Sequence, residues 1–97
     1  MRKFKKEVDY YLYNHQEVKQ SNDSGDKKWA EIIDKIIEKY EGTDMGNLIR
    51  YKYKMKLTEP KICNLLHIEA TTYYAWCNKV INEITLMAAY ERLIIPF

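Results

Sequence analysis

The chain has 97 residues, 46% of them hydrophobic and 31% charged, and its 16 lysines and arginines against 14 acids leave a formal net charge of +2. That length and balance fit one small soluble domain and exclude both a polycation and a membrane span, since no apolar run is long enough to cross a bilayer. With glycine only at 25, 42 and 46, a Gly-rich phosphate loop is excluded too.

The opening MRKFKKEVDYY is basic but is followed by no long apolar stretch or small-residue cleavage site, so a secretory signal is not expected and the cytosol is the expected compartment. From Lys3 to Gln20, Phe4, Val8, Tyr11, His15 and Val18 recur at alternating spacings of four and three, which predicts one helix with a heptad-like seam. The seam is too short to define a coiled coil, and two uses stay open: a dimer contact between copies, or packing on the body of the domain. Tyr10, Tyr11 and Tyr13 fall on different faces, which favours packing over stacking on single-stranded bases. SNDSG, residues 21 to 25, then reads as a hinge, with Asp26 as the cap of the next helix.

From Lys27 to Tyr40 the residues Trp29, Ile32, Ile33, Ile36, Ile37 and Tyr40 form a wide apolar stripe opposite Glu31, Asp34, Lys35, Glu38 and Lys39, so this helix is expected to supply much of the core. Gly42 suits a helix end that needs positive φ. A further helix starts near Met45, carries Leu48, Ile49, Tyr51 and Tyr53 with basic residues between them, and ends around Met55. No strand is predicted, because the Tyr-rich and Ile-rich runs follow a period nearer 3.6 than 2. The expected fold is all-α, a single domain over 1–97 with about five helices: an N-terminal helix over 1–20, core helices over 26–56, and a last unit over 57–93.

That last unit carries the most information. Thr58 is a suitable N-cap and Pro60 sits where a missing N–H costs nothing. Ile62, Leu65 and Leu66 then repeat at helical spacing, with the small Cys63 where a second backbone must come close. His67, Ile68 and Glu69 break the phase, His67 being a residue that tolerates positive φ. A second helix follows from Thr71 or Thr72, with Tyr73, Trp76, Cys77, Val80, Ile81 and Ile84 inward, and it continues toward Leu93 and the apolar end IIPF, which suggests docking. This is the pattern of a helix-turn-helix, whose second helix enters the major groove N-terminal residues foremost. The outward side chains Thr71, Thr72, Tyr74, Ala75 and Asn78 are the candidates to meet base edges. Lys52, Lys54, Lys56, Lys61 and Lys79 are the candidates to hold phosphates.

From Trp29 to about Leu93, most densely from Leu48 to Ile84, the chain resembles the phage transcriptional activators of the RinA and ArpU type, small relatives of the promoter-reading fourth region of sigma factors. The resemblance rests on the aromatic-basic segment LIRYKYKMKLT, on Ile68 as the apolar turn residue, and on Thr72, Tyr73, Tyr74 and Trp76 standing as Thr-Tyr-Tyr-x-Trp. It implies a late-gene activator that binds promoter-proximal duplex DNA in a bacterial host. The chain departs from that pattern where Glu69 replaces a capping Ser and where Ala70, Ala75 and Cys77 stand in places often filled by Arg. A second expectation follows from these losses: the same fold turned to protein contact, binding RNA polymerase or another phage regulator. No enzymatic constellation is found and no cofactor is implied. Cys63, His67 and Cys77 lack a paired-Cys ligand motif, and the two thiols read as core residues of a reducing compartment rather than a metal site.

Overall fold

The computed structural model describes residues 4–94. Among them the chain forms six α-helices and no strand: α1 (Lys5–Tyr13), α2 (His15–Lys19), α3 (Ser24–Tyr40), α4 (Asp44–Ile49), α5 (Glu59–Leu66) and α6 (Ala70–Tyr90). A π-helical turn, Arg50–Lys54, prolongs α4. Arg2 and Lys3 of the basic N-terminus and Ile95, Pro96 and Phe97 of the apolar C-terminus lie outside the described residues. Ile94, the first residue of that apolar end, is buried in the core.

The single N-terminal helix expected from the seam is broken at Asn14. Its side-chain amide donates to the Tyr10 carbonyl at 2.8 Å while its backbone N–H reaches the same oxygen at 3.0 Å, and its φ of −108° leaves the helical range. Asparagine competes in this way with the helical ladder, and the break turns α2 onto α3. The seam itself is not free for a second copy. Val8, Val18 and His15 are buried inside this chain, Leu12 joins them, and Phe4 and Tyr11 pack partly buried at the edge. The dimer-seam expectation is therefore corrected: these residues pack on the body. Tyr11 lies flat against Trp29 with ring centroids 4.5 Å apart, and Tyr13 meets Tyr53 edge to face at 4.7 Å.

The main core lies between α3 and its neighbours. Trp29, Ala30, Ile32, Ile33, Ile36 and Tyr40 of α3 pack with Val8 and Leu12 of α1 and with Val80, Ile81, Ile84 and Ala88 of α6. Each large aliphatic side chain so buried contributes about 1.5–3 kcal/mol before ordering costs. Asp23, not Asp26, caps α3: the Asp23 carboxylate accepts from the Asp26 N–H at 3.0 Å, and the helix begins within the SNDSG segment expected to be a hinge.

His15 sits in this core with Nε2 2.9 Å from Asp34 Oδ1, beyond which lies Lys19 at 3.6 Å from Oδ2. Burial lowers its pKa below the ordinary 6.5, against the pull of the Asp34 carboxylate, with Lys54 and Lys19 adding to the decrease. The unfolded chain then binds the proton more readily than the folded one, so stability falls as pH drops through the unfolded value of 6.5 toward the lower folded value. Thermal unfolding between pH 7.5 and 5.5 is expected to show Tm falling with pH. His15→Gln should flatten that decline, and a decline equally steep in the variant would refute the assignment.

Candidate nucleic-acid interface

The end of α4, the π turn, α5 and the first half of α6 enclose a second, smaller core of Leu48, Ile62, Tyr73 and Cys77, with Tyr51, Leu57, Cys63, Leu66, Ile68 and Trp76 packed around it. It fixes the crossing of α5 on α6. Thr58 adopts the extended N-cap conformation with Pro60 in the first turn, but its hydroxyl makes no capping bond, contrary to expectation. At the other end His67 takes the left-handed conformation, φ 57° and ψ 45°, and the Ile68 N–H reaches back to the Cys63 carbonyl at 3.1 Å. The turn is the expected His67, Ile68 and Glu69, and α6 begins at Ala70, slightly earlier than the spacing suggests.

The same device closes α6. Arg92 is left-handed at φ 60°, the Arg92 N–H bonds the Ala89 carbonyl, and the Leu93 N–H bonds the Ala88 carbonyl. This is a Schellman closure with arginine in the place that glycine usually takes, and it ends the helix at Tyr90 rather than near Leu93.

Tyr73, Cys77, Val80, Ile81 and Ile84 of α6 are buried and Trp76 is half-buried, so the inward face is as the spacing indicated. Thr71, Tyr74, Ala75 and Asn78 are exposed and Thr72 is half-exposed; they form one continuous face of the helix. Tyr74 is 54% exposed, and its hydroxyl donates to Glu59 Oε2 across the α5–α6 crossing at 2.7 Å. That bond, above all, raises the Tyr74 pKa. Glu59 has no signal in the sequence as part of this surface, because only the fold brings it to a residue fifteen positions further along. Leu65, expected to face the second helix, is instead 47% exposed.

The five lysines expected at phosphates do not share one fate. Lys54, Lys56, Lys61 and Lys79 are exposed. Lys52 is turned inward: its ammonium lies 5.3 Å from the ring centroids of both Tyr53 and Tyr73 and 3.5 Å from Cys77 Sγ. Lys52 is therefore withdrawn from the phosphate-binding set. The cause is the π turn, in which the Met55 N–H bonds the Arg50 carbonyl five residues back at 3.0 Å. Widening the helix sets Tyr51 and the Lys52 ammonium against the smaller core while Tyr53 is buried in the larger one. Burial raises the Cys77 thiol pKa, and the nearby Lys52 only partly offsets it, so this is a packed thiol rather than a nucleophile. Burial likewise pushes Tyr53 and Tyr73 up.

Among the described residues no cluster of three or more His, Cys, Asp or Glu side chains could hold a metal, and no helix is long and apolar enough to cross a membrane. Compared with known proteins, residues 4–85 match the model of a family described as proteins of unknown function, DUF1492. No curated protein and no solved structure matches the chain.

Proposed function

Because the chain belongs to the DUF1492 family, whose function is unknown, its activity has to be read from its own surface, and we propose that it is a duplex-DNA-binding transcriptional regulator. The observation that carries this proposal is the exposed face of α6, with Thr71, Tyr74, Ala75 and Asn78 turned outward from a helix whose opposite side is locked into two cores. Short polar side chains on the leading turns of a second motif helix are the chemistry that reads base edges. Lys61 on α5 and Lys79 on α6, with Lys54 at the end of the π turn and Lys56 just after it, supply the cations that phosphates require. The resemblance to phage activators is what supports a site of action in a bacterial host's cytoplasm. A twofold read of DNA would need a dimer built on a face other than α1 and α2.

A second reading has its own support. Leu65 and Tyr74 are large exposed groups of the motif, Tyr74 is bonded to the acidic Glu59, and Glu69 is exposed at the start of α6, features that suit a protein such as RNA polymerase or another regulator as readily as a polyanion. Salt separates the two. Fluorescence anisotropy with random duplex should give a log–log slope of about −3.6 for the four exposed lysines, hence affinity about a hundredfold weaker at 200 mM than at 50 mM salt. No measurable duplex affinity at the lower salt would exclude DNA binding and leave protein contact.

A further inference from the structure

Tyr74 and Glu59 meet at the mouth of the helix-turn-helix, on the side from which a groove would be read. We infer that Glu59 sets the base preference of α6 by accepting the hydrogen bond of the Tyr74 hydroxyl, so that the pair offers only hydrogen-bond acceptors and selects the exocyclic amino group of cytosine or adenine. This deepens the proposed function and rests on it. A tyrosine hydroxyl has one proton to give and lone pairs with which to accept, whereas an ionised carboxylate can only accept. With the proton directed at Glu59 Oε2 over 2.7 Å, the phenolic oxygen faces solvent as an acceptor, with the carboxylate beside it.

In the major groove, cytosine presents N4–H₂ and adenine N6–H₂ as donors, while guanine O6 and N7 and thymine O4 are acceptors that this pair would repel. A hydrogen bond to an ionised group is roughly twice as strong as a neutral one, so a guanine or thymine oxygen could not readily draw the Tyr74 proton away from Glu59. Thr71 and Asn78 lie one turn to either side of Tyr74 on the same exposed face, and each can both donate and accept. The Tyr74–Glu59 pair is thus the part of the face with a fixed polarity. Glu59 acts through Tyr74 and is a positioning residue.

The test is selection from a randomised duplex library with the full chain, Tyr74→Phe and Glu59→Gln, each also titrated with random duplex at two salt concentrations. Both side chains are at the surface, so all three proteins should fold, and circular dichroism checks this. The unmodified chain should enrich cytosine or adenine at one position. Tyr74→Phe should lose about tenfold of that preference with its salt slope unchanged. Glu59→Gln, whose amide keeps only a neutral, weaker acceptor for the hydroxyl and adds an N–H₂ donor beside it, should admit guanine or thymine at the same position. An identical base preference in all three proteins, with equal salt slopes, would overturn the inference and leave duplex binding standing. Absence of duplex binding by the unmodified chain would overturn both.

Discussion

Replacing Gly46 with alanine should destabilise the protein by about 3 kcal/mol, lowering Tm on the order of 15 °C in thermal unfolding followed by circular dichroism. Helix propensity alone says the opposite, since alanine within a helix is favoured over glycine by roughly 1 kcal/mol. Sterics decide the sign. A Cβ at position 46 would lie 2.2 Å from the Tyr40 carbonyl oxygen and 2.9 Å from its carbon, which are backbone atoms with no rotamer to escape into. That carbonyl is also held in place, because the Thr43 hydroxyl donates to it at 2.6 Å and the Thr43 N–H at 3.1 Å. Thr43 in turn accepts from the Gly46 N–H at 3.1 Å and caps α4, while Gly42 makes the corner at φ 81°. Relief would have to come from moving α4 away from the end of α3, and α4 supplies Leu48 to the smaller core and Ile49 to the larger. A Tm equal to or above that of the unmodified protein would show that the corner yields cheaply.

Reversing charge at both Lys61 and Lys79 should have the largest effect on binding: at least a hundredfold loss of affinity for every duplex alike, with the salt slope reduced by about two. Each substitution removes a cation and adds an anion beside the path of the phosphates, on a motif where Glu59 and Glu69 already stand at the two helix starts. Lys52→Met provides the contrast. Its ammonium lies against Tyr53, Tyr73 and Cys77 and the residue is half-buried, so Tm should fall while the salt slope stays as it was. Should Lys52→Met flatten the slope as much as the paired reversal, the division between inward and outward lysines is wrong.

Much of this architecture is legible in local pattern. The α3 stripe from Trp29 to Tyr40 follows a helical period, and its buried set matches the expected stripe except that Ile37 is half-buried and Ala30 is buried as well. The α5–turn–α6 unit is legible for the same reason, with His67 and Pro60 marking its boundaries by backbone preference. Where spacing misleads, a contact between distant residues has overridden it. Nothing near Asn14 announces that α1 and α2 will part, since Asn is only mildly unfavourable within a helix. A periodic seam of Phe4, Val8, Tyr11, His15 and Val18 looks the same whether it faces another copy or α3.

The sequence alone determined the helical class, the inward face of each long helix and the outward row Thr71, Tyr74, Ala75 and Asn78, because these depend on periodicity and on residues a turn apart. Only the tertiary structure decided that the N-terminal seam is internal, that the π turn draws Lys52 under the smaller core, and that Glu59 holds the Tyr74 hydroxyl. Those outcomes depend on which surfaces compete for burial and which polar groups are left to satisfy one another, and a linear pattern does not record distances between residues that only folding brings together.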